Sequence, residues 1–151
     1  MPGAAGSIYS LASAHAGVFV LNNLTSAGFA AGASGGVGDL ALSARTAGGA
    51  LSARINDLGP ALTAAVPTSV GHSVISRAAG TRTLFKAGAS VATGALAATA
   101  LPTGEFTVLR AGTGYSAWQV AAAHAGGALT APESAALHSI LAAYLAAVDA
   151  I

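Results

Sequence analysis

Cysteine is absent from the 151 residues, which rules out a disulfide framework and any thiolate metal site. Charge is almost as scarce. Asp, Glu, Lys and Arg make up 7% of the chain, with six bases facing five acids for a formal net charge of +1. A generic nucleic-acid binder needs a basic face to neutralise phosphates, so nucleic acid is not an expected partner. Long apolar runs are missing too: residues 87–101 and 140–151 are the best, and both are shorter than the roughly 18 residues a membrane span needs. No basic residue precedes an apolar run at the N-terminus, so the start does not read as a secretory signal. Aromatic residues amount to 5%, with a single Trp.

What is present is apolar and small. The hydrophobic fraction is 54%, which is incompatible with the low hydrophobicity and high net charge of disordered chains. Alanine supplies much of it and buries little area per residue, so the hydrophobicity is broad but thin. A surface this poor in charge has little repulsion to keep it monomeric, which predicts a homo-oligomer or a place inside an assembly. Residues 1–12 read as a flexible N-terminal lead, and residues 13–151 as one domain.

From Ala14 to Ala125 the chain is a series of short runs broken by Gly, Asn or Pro. Those runs are Gly17–Leu21, Asp39–Arg45, Ala50–Ile55, His72–Arg77, Thr81–Lys86, Glu105–Arg110 and Ala117–Ala122. Several alternate with period 2. Leu40 and Leu42 fall on one side and Asp39, Ala41 and Ser43 on the other; Ser73 and Arg77 share the face of Ile75, opposite Val74. Many short strands at regular spacing predict an all-β sandwich or barrel. Asn22-Asn23, Gly35-Gly36, Gly48-Gly49 and Gly112-Thr113-Gly114 tolerate positive φ and read as turns. Ala87-Gly88 lies where a tight hairpin would go.

The C-terminus has a different period. Thr130-Ala131-Pro132-Glu133 fits a capping box. Leu137, Ile140, Leu141, Tyr144, Leu145 and Val148 then form one apolar stripe, predicting an α-helix over about 131–149 that docks through Leu137, Leu141, Tyr144 and Val148.

The order Val74-Ile75-Ser76-Arg77, Thr83-Leu84-Phe85-Lys86-Ala87-Gly88, Phe106-Thr107-Val108-Leu109-Arg110, Tyr115-Ser116-Ala117-Trp118-Gln119-Val120-Ala121 and Gly126-Gly127-Ala128-Leu129-Thr130, ending in a capped helix, resembles the laminin-G-like, concanavalin A-like jelly-roll domains of phage virion and bacterial surface proteins. The resemblance spans about residues 13–148. It implies an antiparallel jelly-roll β-sandwich with one C-terminal α-helix. The family usually has further strands upstream of the run that here begins at His15, so an edge or face is expected to be covered by another chain or the sandwich to be reduced. Its hairpin turn is usually Asn-Gly, where this chain has Ala87-Gly88.

No enzyme constellation assembles. Concanavalin-like glycosidases need paired carboxylates, whereas Glu105 and Glu133 are the only glutamates and stand far apart in sequence. There is no Gly-x-Ser-x-Gly elbow. His15, His72, His124 and His138 lack His-x-x-x-His spacing, and Asn56-Asp57 alone does not make a calcium site, so neither metal nor cofactor is expected. His124 is expected half-buried and hydrogen-bonded. Arg45, Arg54, Arg77 and Arg82 read as solvent-facing or inter-subunit pairs at strand ends. A sugar needs a ring to stack on and polar donors to orient it, which singles out Arg110, Tyr115, Trp118 and Gln119 as glycan-binding candidates. Against this, Trp118 shares a face with Val120 and reads more readily as a core or interface anchor.

With the resemblance, these features point to a non-enzymatic structural protein of a phage-like particle: a head or tail fibre, spike or decoration subunit on the extracellular face of a virion. Its partners would be copies of itself, other virion structural proteins and host surface polysaccharide. The alternative is a carbohydrate-binding, lectin-like module of a bacterial surface or secreted protein.

Overall fold

The computed structural model describes residues 9–35, 38–111, 113–149 and 151. In chain order its strands are β1 (Ser13–Val20), β2 (Ala31–Ala33), β3 (Asp39–Ser43), β4 (Ala50–Asp57), β5 (Leu62–Ala65), β6 (Gly71–Ala78), β7 (Thr81–Lys86), β8 (Ala89–Ala95), β9 (Thr107–Val108), β10 (Arg110–Ala111), β11 (Gly114–Tyr115) and β12 (Val120–Gly126), followed by α1 (Ala131–Ala147). One antiparallel sheet runs β12-β1-β6-β7-β8 and a second β5-β4-β3-β2-β9, while β10 and β11 pair as a separate ribbon. The fold is the expected all-β sandwich with one C-terminal helix.

Alternation builds the core. Ala14, Ala16, Val18 and Val20 of β1, with Ile75 and Leu84, face Leu40, Leu42, Leu51, Ala53 and Ile55 of the second sheet. Trp118 and Tyr9 join the same cluster. Residues 9–12, expected in the flexible lead, are therefore tied to the domain: the Tyr9 hydroxyl donates to Asn56 Oδ1 at 2.9 Å, and Asn56 Nδ2 donates to the carbonyls of Ser10 and Leu11. Residues 1–8, Gly36 and Gly112, which the sequence reading placed in the lead and in turns, lie outside the described residues.

Arg77 and Arg82 correct an expectation. Neither faces solvent. Arg77 shares the inward face of Ile75, so its guanidinium crosses between the sheets to Asp57 Oδ2 at 2.6 Å, with Nε donating to the Ile55 carbonyl and Nη1 to the Leu96 carbonyl. Arg82 Nη1 approaches Asp57 Oδ2 at 3.3 Å and donates to the Pro60 carbonyl. The Arg77 and Asp57 side chains are 0% and 1% exposed. A buried charge persists only when paired and hydrogen-bonded; the Asp57 carboxylate is shared by both guanidiniums, and Arg77 Nε, Arg77 Nη1 and Arg82 Nη1 also meet main-chain carbonyls, whereas Arg82 Nε is buried without a partner.

Local geometry revises other details. The run Glu105–Arg110 is not one strand, because Leu109 adopts φ 61° and splits β9 from β10. Asn22 and Asn23 act through side chains rather than positive φ: Asn22 Oδ1 accepts from the Gln119 amide and Asn23 Oδ1 from the Ser69 amide. Ala87-Gly88 does make the tight β7–β8 turn, with φ of 50° and 80°.

The helix forms a third layer. Thr130 and Glu133 make the predicted capping box. Alternation sends His15, Gly17, Phe19, His72, Val74, Phe85 and His124 to the outer face of the first sheet, and α1 lies over it, with the His138 ring stacked against Phe19 and His72. The docking stripe is rotated from the expected one. Ser134 and Leu145 are buried, Leu137 and Leu141 partly so, whereas Ile140, Tyr144 and Val148 are 66%, 62% and 52% exposed. The stripe with the largest side chains lost because the sheet beneath presents rings, and the His138 face stacks on them.

Candidate functional site

The outer face of the second sheet carries a shallow trough. Leu40, Leu42, Leu51 and Ile55 point inward, so Ala41, Ser52 and Arg54 point out. The register sets Ala41 between Gly32 and Arg54, and two residues without bulk leave a low floor beside the arginine. The resulting pocket, about 80 Å³, is lined by Phe29, Ala41, Ser52, Ala53, Arg54 and Ala61. Arg54 Nη1 lies 3.8 Å from Asp39 Oδ2, with the two side chains 40% and 20% exposed. Burial pushes the Asp39 carboxyl above its ordinary value and Arg54 draws it back. The pair engages only part of the guanidinium, which has five donors. An enclosed small-molecule site holds several hundred Å³. This one is several times smaller.

The β10–β11 ribbon adjoins this trough through Gly28 and Phe29. A Cβ on Gly28 would sit 2.0 Å from the Tyr115 carbonyl oxygen, so only glycine allows the approach. The Ser116 hydroxyl donates to the Phe29 carbonyl at 3.0 Å. On the ribbon, Arg110 pairs with Tyr115, and its guanidinium carbon lies 5.9 Å from the centre of the Tyr115 ring. Tyr115 is 71% exposed.

Of the four candidates taken from the sequence, Arg110 and Tyr115 are thus brought together at the surface. Gln119 is exposed, with its amide N–H held by Asn22 and its carbonyl accepting from Leu21. Trp118 must be withdrawn as a stacking platform. It is 2% exposed and packs in the core, its Nε1–H donating to the Leu24 carbonyl at 3.1 Å. Its shared face with Val120 decided the matter. Sequence reasoning missed Phe29 and Ser52, and treated Asp39 and Arg54 separately. The available signal was the period-2 alternation that places Ala41 and Arg54 on outer faces.

A second cluster gathers the chain's four histidines on the outer face of the first sheet. His15 Nε2 lies 3.0 Å from His124 Nδ1, and His124 Nε2 lies 2.8 Å from His72 Nε2. The His138 ring stacks on His72 with centroids 5.9 Å apart. Burial pushes His72 down to about 3 and His124 to about 4, with neighbouring histidines and, for His72, Lys86 adding to the effect. His15 is lowered by burial as well. Because His124 spends each ring nitrogen on a different histidine, the arrangement is a hydrogen-bond chain rather than a chelate. Among the described residues no group of three or more His, Asp or Glu is placed to hold a metal.

The fold and the trough together define an antiparallel β-sandwich whose second sheet carries a small, mostly apolar trough edged by Ser52 and Arg54. No family model matches the chain, and no curated protein matches it. Among solved structures it is similar to domain 4 of AbnA, a GH43 extracellular arabinanase from Geobacillus stearothermophilus, solved in complex with arabinotriose. The TM-score is 0.57 at 14% identity, over 83% of this chain and 65% of that one. The chain therefore spans just under two thirds of that neighbour, and the likeness is one of fold.

Proposed function

We propose that this chain is a non-catalytic, lectin-like carbohydrate-binding module of a secreted or cell-surface protein, and that it presents the outer face of its second sheet to a polysaccharide. The observation that carries the reading is the trough itself: the Phe29 ring, a small-residue floor, the Ser52 hydroxyl and a half-exposed Arg54–Asp39 pair, with Arg110 and Tyr115 on the adjoining ribbon. Sugars are held by such surfaces, through ring contacts and a few oriented donors. The neighbour of like fold, solved with arabinotriose, supports the same class of ligand.

The carboxylates support a binding rather than a catalytic role. Asp57 is buried between two arginines, Asp39 faces Arg54, and Glu133 caps the helix. Asp39 and Asp57 are partners across β3 and β4, but each is committed to arginine, Asp39 to Arg54 and Asp57 to Arg77 and Arg82. The narrower reading as a fibre, spike or decoration subunit of a virion rests on the sequence resemblance alone; a glycan-facing sandwich suits both.

A glycan array, run with an assay for released reducing ends, tests the proposal. Binding to at least one class of polysaccharide without cleavage is expected. Cleavage of a bound glycan would replace the module with an enzyme, and no binding across the array would remove the proposal.

A further inference from the structure

The histidine chain has only one neutral arrangement of protons. His15 Nδ1 faces the Gly127 carbonyl, which can only accept, so that nitrogen carries the hydrogen. Its Nε2 is then an acceptor, and His124 Nδ1 donates to it. His124 Nε2 must in turn accept from His72 Nε2–H. His72 Nδ1 is left bare, buried and without a hydrogen-bond partner, and His138 Nδ1 above it is also buried with no hydrogen-bond partner. A further proton on His15 or His124 would meet an N–H that already points at it. On His72 Nδ1 it would find no acceptor.

No acid relieves the cluster. The groups acting on His72 are His15 from β1, His124 from β12, Lys86 from β7 and His138 from α1, all cationic when protonated. Lys86 is held by the Ser69 carbonyl and the Ser73 hydroxyl. Glu133 of α1 is exposed and engaged by Thr130. The Gly17 backbone lies directly under the His124 ring, where an added Cβ would come within 2.5 Å, so the ring has no room to swing away in place.

We propose that this cluster is an acid-operated latch: as the pH falls below the ordinary histidine range, proton uptake releases α1 from the first sheet while the sandwich between the two sheets stays folded. The sandwich core lies on the opposite face of that sheet, among Val18, Ile75, Leu42 and Ile55, and no histidine belongs to it. With α1 released, the rings reach water and titrate near 6.5. In the closed form His72 and His124 stay neutral down to about 3 and about 4. The released form therefore takes up protons first, and each ring favours release by up to tenfold per pH unit below 6.5. At pH 4.5, two units lower, the two rings together shift the ratio by up to about ten-thousand-fold. Release bares Phe19, Val74 and Phe85, so the latch would couple acidity to exposure of an apolar sheet face.

Hydrogen exchange of the full chain at pH 7, 5.5 and 4.5, corrected for intrinsic rates, tests the latch. Peptides covering α1 should lose protection by at least about a hundredfold at pH 4.5, while those covering β3 and β4 keep theirs. Unchanged protection of α1, or loss of α1 together with β3 and β4, would overturn it. His124→Gln, which keeps a donor and an acceptor but cannot titrate, should weaken the pH response; an undiminished response would also overturn it. If that variant does not fold at pH 7, ring nitrogen NMR of the wild-type chain decides. His15, His72 and His124 should titrate only as α1 is lost, and titration near pH 6.5 with α1 still docked would refute the latch.

Discussion

Replacing Asp57 by Asn should be among the most damaging single changes in this protein. Asn retains the shape and one acceptor oxygen but removes the charge that lies 2.6 Å from Arg77 and 3.3 Å from Arg82. Arg77 would still donate to Ile55 and Leu96, and Arg82 to Pro60. Those carbonyls satisfy hydrogens without neutralising two guanidiniums that are 0% and 5% exposed. Breaking a buried pair from one side costs about 3–5 kcal/mol. That is a large share of the roughly 5–15 kcal/mol by which domains are stable, and at this chain length it corresponds to a fall in Tm of about 6–20 °C. Urea unfolding followed by Trp118 emission reads it, because that ring sits in the same core. A loss below about 1 kcal/mol would show that water reaches the triad and that its burial has been misjudged. The companion variant with Leu at 57 and Met at 77 and 82 removes all three charges and should recover much of the loss.

Trp118 emission should be blue-shifted and resistant to iodide in the folded chain, and iodide quenching comparable to that of the unfolded chain would contradict its place in the core. Gly17→Ala should destabilise the fold by about 1–3 kcal/mol through overpacking against His124, measured by thermal melting; an unchanged Tm would mean the ring can move aside. Leu145→Ala should cost about 2–5 kcal/mol, whereas Ile140→Ser should stay within about 0.5 kcal/mol. The reverse ranking by urea titration would restore the docking stripe expected from periodicity.

Period-2 alternation made the sandwich legible: it placed Leu40 and Leu42 inside, set Arg77 on the face of Ile75, and foretold that Trp118 could follow Val120 inward. The helix and its cap were equally legible, because Thr130 and Glu133 interact within one turn. What alternation could not show is which residues meet across the sheets. Arg77 and Asp57 are 20 residues apart, and His15 and His124 are 109 apart. An inward arginine reads as misplaced until the carboxylate opposite it is known, and four scattered histidines have no spacing signature when each comes from a different element. The rotation of α1 has the same origin, since the face it docks is chosen by the Phe19 and His72 rings beneath it. The trough was half visible: the pattern set Ala41 opposite Leu40 and Leu42, and Arg54 read as a solvent-facing or inter-subunit residue, but their neighbourhood with Phe29 depends on sheet register.

The most direct measurement of the carbohydrate-binding claim is migration through native gels containing soluble polysaccharides, run for the wild-type chain beside Phe29→Ala and Arg54→Ala. At least one polysaccharide should retard the wild-type chain and both variants should run free of it, with Trp118 emission unchanged to show that they are folded. Unretarded migration in every gel, or retardation that both variants retain, would contradict it.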